Sequence, residues 1–226
     1  MARFAGADAW IEQYFLNSPD DEREEFTSAE LEDLARTHRA LAEIRAPKTS
    51  VVAARNDDYN TTLYVATDDM PHIVSSLTAY LSAHFGGFLA IFHPIFLAER
   101  NTDGKLISLR GTGTRANLAS GDTAAVGMPS LQLSEGAPEG STVTIESWIA
   151  IRLTRYLNED DLRLLEHDVR RVLADVRACY TDLEGMVTAV FDISQAMYEL
   201  RGATLGHGEE SYAANPRGVE PASRVE

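Results

Sequence analysis

The run FLAIFHPIFLAERN at residues 88–101 constrains this chain more than any other stretch. It is too apolar for a strand with one face in water, so it reads as a buried strand. Pro94 has no N–H to give to a ladder, and the run must therefore bulge there or lie at an edge. The turn TDGK at 102–105 then leads into LISLRG, which predicts a hairpin.

Further strands follow from residue type. SVVAARN from Ser50 and TTLYVATDD from Thr61 are β-branched runs separated by the turn-prone DDYN, and STVTIESWIAIRLTRY resumes strand chemistry at Ser141. Elsewhere the period is helical. Trp10, Ile11, Tyr14 and Phe15 share one face of a short helix that stops near Ser18-Pro19. Leu31, Leu34, His38, Leu41 and Ile44 mark a second helix, opened by Thr27 or Ser28 and ended by Pro47. Ile73, Val74, Leu77, Leu81 and Phe85 predict a third over about 70–85. Asp68, Asp69 and Pro71 supply its start chemistry, and Gly86-Gly87 its end. A last helix opens near Asn158–Asp161 and carries Leu162, Leu165, Val169, Val172, Leu173, Val176 and Tyr180, continuing past Gly185 to about Leu200. The expected organisation is a helical arm over 1–47, an α+β domain over 48–200 with a flexible Gly/Ser/Ala/Thr-rich loop at 111–140, and a disordered tail or linker over 201–226.

Bulk chemistry narrows the partners. A net charge of −15, from 35 acidic and 20 basic residues, opposes a phosphate-tracking surface, so neither nucleic acid nor an anionic membrane is an expected partner. One cysteine, Cys179, rules out an intrachain disulfide. The N-terminus lacks an apolar core of signal-peptide length, and no stretch approaches the roughly 20 apolar residues that span a bilayer. The cytoplasm is the expected location.

Reactive constellations are weak. Six histidines and Cys179 make no HxxxH or CxxC spacing, so no metal is expected. His93 reads as a hydrogen-bonded core histidine. GTGT at 111–114 is no phosphate loop, because no GxGxxG or GxxxxGK[ST] string contains it. GxSxG is absent, which leaves Ser120 and Ser130 as loop serines. Glu159, Asp160 and Asp161 complement a helix dipole. No catalytic residues are nominated.

Strand, helix, strand, strand, then helix is close to the βαββαβ ferredoxin-like pattern, in which two helices cover one face of an antiparallel sheet. The corner TDDMPHIVSSLTAYL, with Gly86-Gly87 after it, resembles the first strand-helix corner of ACT domains. Four blocks in order, RAPKTSVVAARND, ATDDMPHIVSSL, FLAIFHPIFLAERNTDGKL and ESWIAIRLTRYLNEDDLRLLEHDVRRVLADVRACYTDLEGM, resemble the first ACT-like domain of the large bacterial NAD-dependent glutamate dehydrogenases over roughly residues 25–190. The chain differs from that family's usual pattern at His72, at Ser75-Ser76 and at Leu183.

The resemblance implies an ACT-like α+β fold and a regulatory or assembly role. It also implies that oxidative deamination of L-glutamate to 2-oxoglutarate and ammonia, with NAD as hydride acceptor, belongs to a region outside this chain. No cofactor is then expected in the chain itself. The implied partners are other domains or subunits of a glutamate dehydrogenase, a second copy, and a small amino-acid effector. For such an effector the candidate residues are Asp68, Asp69, Met70, Pro71, Gly86 and Gly87. A helix start offers amides to a carboxylate and the Asp pair offers charge to an ammonium, or the same Asp residues serve only as caps. The competing reading is a stand-alone amino-acid-sensing protein of ACT type.

Overall fold

The computed structural model describes residues 9–16, 18–111 and 140–204. Two compact units divide the chain, Met1–Asp182 and Leu183–Glu226.

The first unit is built on one antiparallel sheet of β1 (Val51–Asn56), β2 (Thr61–Asp68), β3 (Phe88–Phe92), β4 (Ile95–Asn101), β5 (Leu106–Gly111) and β6 (Ser141–Leu153). Its order is β1-β2-β6-β4-β5, with β3 also pairing to β6. Strands β3 and β4 occupy successive stretches of the same partner. Phe92 faces Ala150 and Ile95 faces Ser147. Residues 88–101 are thus one strand broken at His93-Pro94, where the Trp148 N–H donates to the Pro94 carbonyl at 3.0 Å. The hairpin at 102–105 forms as its residues require. Asn101 Oδ1 accepts from the N–H groups of Asp103 and Lys105, and Gly104 takes φ 78°.

Helix α4 (Ile73–His84) follows β2 and helix α5 (Glu159–Thr204) follows β6, the α+β order expected of an ACT-like fold. Beside β2, where the ferredoxin-like pattern puts a strand that follows the last helix, sits β1, arriving from the N-terminal side.

Alternation sorts the side chains of the central strands into two cores. Leu63, Val65, Ile149 and Ile151 join Ile73, Leu77 and Leu81 of α4 and Leu165, Val169 and Leu173 of α5. Tyr64, Ala66, Trp148 and Ala150 point the other way and are covered by the N-terminal helices. Those are α1 (Ala9–Tyr14), α2 (Asp20–Glu24) and α3 (Ser28–Leu41). Every residue of β2 is buried, as a strand between two layers must be. The residues read as a helical arm therefore form a layer of the first unit, with Ile11, Phe15 and Leu31 fully buried.

The local chemistry of α3 is legible. Thr27 Oγ1 accepts from Glu30 N while Glu30 Oε2 accepts from Thr27 N, a capping box. The helix ends at Leu41, well short of Pro47, because Glu43 to Arg45 pair with the β4–β5 hairpin: Arg45 N donates to Gly104 O and Leu106 N to Glu43 O. Ile44, placed by its spacing on the apolar face of α3, is instead exposed in a bridge to Lys105. Short α2 was not apparent from periodicity.

In the second unit, α5 continues to Thr204, and the large apolar side chains from Leu183 to Tyr198 are exposed. The loop expected at 111–140 and the tail expected at 201–226 fall, from Thr112 to Glu139 and from Leu205 onward, outside the described residues.

Candidate functional site

The corner after β2 departs from its expected chemistry. Helix α4 begins at Ile73, and its N-cap is His72, which sits at φ 67° and makes no side-chain cap bond. Neither Asp68 nor Asp69 caps the helix. Both are drawn toward β6 and its surroundings instead. The Asp69 N–H donates to Ile145 O, and Asp69 Oδ1 accepts from Ser147 Oγ at 2.6 Å. Ser147 also meets His93 Nε2 at 3.0 Å, so His93 is hydrogen-bonded as expected, though only half-buried. Met70 packs into the core below α4, and Pro71 lies in the turn above it.

Gly86, at φ 86°, and Gly87 follow the other end of α4. Gly87 O accepts from both the N–H and the hydroxyl of Thr154. A helix of 12 residues is about 18 Å long, several times the ~3.6 Å span of one extended residue. Within one copy, then, the six candidate effector residues form two separate groups, 68–71 and 86–87.

Asp68 belongs to a buried charge cluster that sequence reasoning missed. Its Oδ1 lies 2.8 Å from Arg45 Nη2 and its Oδ2 2.5 Å from Arg177 Nη1. Arg45, 1% exposed at its side chain, also donates to Glu146 Oε1 through Nε at 3.1 Å and Nη2 at 2.8 Å. Arg100 grips the same carboxylate from β4, with Nε 2.6 Å from Oε1 and Nη2 3.0 Å from Oε2. Trp148 Nε1 donates to Oε2 at 2.9 Å. The remaining Arg100 donors reach the carbonyls of Ala42 and Gly104. Burial pushes the Glu146 carboxyl up, but the Arg100 bond and the Arg45 and Arg100 charges outweigh it and hold the group below the usual carboxylate range. Arg45 likewise stays charged, since Glu146 and Asp68 overcome its desolvation.

The cluster joins the α3–β1 connection, β2, β4, β6 and α5 around a cavity of about 110 Å³ lined by Arg45, Lys48, Asp68, Arg100, Thr142 and Thr144. Its chemistry is that of a pin. The Glu146 carboxylate is held ionised, which suits neither a general acid nor a base near neutral pH.

A second buried polar group, His38, lies against Trp148, with ring centroids 4.9 Å apart. His38 Nε2 donates to Val65 O at 3.1 Å and Nδ1 accepts from the Tyr14 hydroxyl at 2.6 Å, fixing a neutral imidazole. Burial pushes its pKa down to about 3, against the pull of Val65 O and Glu146.

Among the described residues no three His, Cys, Asp or Glu side chains are placed to hold a metal ion. No helix of the described residues is long and apolar enough to cross a membrane. Glu30 stands in the first turn of α3, and Glu159, Asp160 and Asp161 open α5, charges that disfavour an anion at those two helix starts. GTGT lies outside the described residues from Thr112 onward.

The model of the family described as "Glutamate dehydrogenase, ACT1 domain" matches residues 10–169. That range includes all of α1 but its first residue, α2 to α4, all six strands and the first turns of α5. No solved structure matches the chain.

Proposed function

Because this chain belongs to the glutamate dehydrogenase ACT1-domain family, we propose that it is a non-catalytic regulatory or assembly region of an NAD-dependent glutamate dehydrogenase. The observation that carries this reading is the extent of the match, which takes in the whole sheet, the N-terminal helical layer, α4 and the start of α5. In this reading, hydride transfer from L-glutamate to NAD occurs in a part of the enzyme outside this chain, in the cytoplasm. The acidic helix starts support that division of labour, since they disfavour the cofactor's phosphates.

Regulation in this reading is by an amino acid whose ammonium group meets the Asp69 corner. The two Arg partners of Asp68 leave that residue committed to the charge cluster. Gly86 and Gly87, at the far end of α4, contribute only where a second copy brings its own α4 end to the corner. Thermal unfolding of the chain against amino acids, 2-oxoglutarate and nucleotides tests this, because a ligand at 100 times its Kd adds roughly 2.7 kcal/mol. A shift with one amino acid, abolished by Asp69→Asn, is expected. A folded chain that shifts with none of them would overturn effector binding, and reduction of NAD by the chain alone with glutamate would overturn the non-catalytic reading.

A further inference from the structure

Lys48 stands where backbone chemistry favours glycine. The turn from Ala46 to Thr49 is closed by the Thr49 N–H on Ala46 O at 3.2 Å, with Pro47 second and Lys48 third at φ 60°. A turn of this kind needs positive φ at its third residue, which glycine adopts freely and a side chain resists. Residues held there against preference cluster at ligand sites.

The Lys48 side chain lines the cavity of about 110 Å³ beside the buried charge cluster. In that cluster Arg45, Arg100 and Arg177 face Glu146 and Asp68, so one positive charge is left over among the described residues, and Lys48 adds a second. The chain as a whole has the opposite sign, at −15, and a buried charge that lacks its counter-charge is costly.

The carboxylate oxygens of the cluster are already engaged. Arg100 holds both oxygens of Glu146, Arg45 holds Asp68 Oδ1 and Arg177 holds Asp68 Oδ2. What remains on the lining is donors. Asn101 Oδ1 accepts from two backbone N–H groups, which leaves its Nδ2 without a partner among the described residues. Lys48 Nζ and the Thr142 hydroxyl likewise bond to no described residue. Positive charge with unused donors and no uncommitted carboxylate is the chemistry of an oxyanion site. Every nitrogen of the Arg45 and Arg100 guanidinium groups already has an acceptor, so these two supply field, while Lys48, Asn101 and Thr142 supply bonds.

Size sets the ligand. At ~30 Å³ per water the cavity has room for roughly three or four waters. That is enough for one carboxylate or phosphate group, and well below the ~300 Å³ of a site enclosing a whole metabolite. We propose that this cavity binds one oxyanion group, a carboxylate or a phosphate, held by Lys48, Asn101 and Thr142 in the field of Arg45 and Arg100. Asp69 is not among its lining residues, so the site is separate from the amino-acid corner and does not depend on the regulatory reading.

The test is thermal unfolding of the full 226-residue chain titrated with sodium phosphate and, separately, with sodium acetate, at an ionic strength held constant with sodium chloride. Exclusion of phosphate from protein surfaces raises stability without saturating, whereas the effect of a bound ligand follows its Kd. The expected result is a rise in midpoint that follows a binding curve with at least one of the two anions, phosphate alone marking a phosphate site and acetate alone a carboxylate site. Lys48→Gln should weaken the apparent Kd about tenfold or more, the worth of one charged hydrogen bond. Lys48→Gly removes the same charge but suits φ 60°, so its midpoint without anion should rise while the anion shift is lost. Lys105→Gln takes a lysine charge from the exposed hairpin outside the cavity and should bind as the parent does. No such rise with either anion, a rise that either Lys48 variant keeps, or an equal loss in Lys105→Gln would overturn the proposal.

Discussion

Replacing Glu146 by Gln keeps the shape of the side chain and removes the negative charge at the centre of the buried cluster. Before the change, three guanidinium groups, Arg45, Arg100 and Arg177, face two carboxylates, Glu146 and Asp68. Afterwards, three face one. Arg45 and Arg100 are 1% and 5% exposed, so water cannot compensate, and breaking one partner of such a buried pair costs about 3–5 kcal/mol. For a domain of this size each kcal/mol moves Tm by roughly 2–4 °C, so a fall of the order of 10 °C is expected. Urea unfolding followed by tryptophan fluorescence reads it, and the Trp148 signal should also change as its Nε1 loses a charged acceptor. Glu146→Leu combined with Arg100→Met restores the original charge balance and should be less damaging than Glu146→Leu alone. The acid limb carries a further sign. A carboxyl held low in the fold contributes stability above its unfolded pKa and loses it as pH falls through the folded value, so Glu146→Gln should flatten that limb. A loss below about 1 kcal/mol, in the range of an exposed pair, would refute the claim that the cluster is dry.

His38 gives a different pH signature. Held neutral with a folded pKa of about 3 against 6.5 unfolded, it lets the unfolded chain bind one more proton between those values, so stability should fall by about 1.4 kcal/mol per pH unit as pH drops from 6.5 toward 5. His38→Gln should remove that slope in equilibrium unfolding. Gly104→Ala would place a Cβ 2.4 Å from the Arg45 carbonyl at φ 78°, and a loss of about 2 kcal/mol or more by urea titration is expected. Thr27→Ala, which dismantles the capping box of α3, should cost about 1 kcal/mol in the same assay.

Period and turn chemistry made most of the fold readable. The strand chemistry of STVTIESWIAIRL, the break in the strand at Pro94 and the hairpin at Gly104 are local consequences of residue type, and they appear where expected. The tertiary assignments of single polar residues were not local. Asp68 and Asp69 stand where caps belong, yet Arg45 and Arg177, the latter 109 residues away, take Asp68, while Ser147 takes Asp69. A carboxylate satisfied by guanidinium groups gains more than one accepting amides at a helix start. One signal was available for Glu146: the one acid of its strand, two residues from Trp148 and so on the same face, had to be paired or neutralised if buried. Its arginine partners could not be named without the sheet order.

Both faces of the sheet carry helices, and some backbone groups along the margins of β1 and β3 are met by side chains. On β1, the Ala54 N–H donates to Glu166 Oε1 at 2.9 Å, and Arg170 Nη2 donates to Val52 O at 2.6 Å, both reaching from α5. On β3, the Ile91 N–H donates to Glu22 Oε2 at 3.1 Å, which gives the short helix α2 a purpose that periodicity could not disclose. An edge strand with its amides already bonded cannot template another strand. The exposed large apolar side chains described in the first unit, such as Tyr59, Leu89, Ile107 and Tyr156, are scattered singly along the chain, as on any soluble surface. Those from Leu183 to Tyr198 recur along one helix.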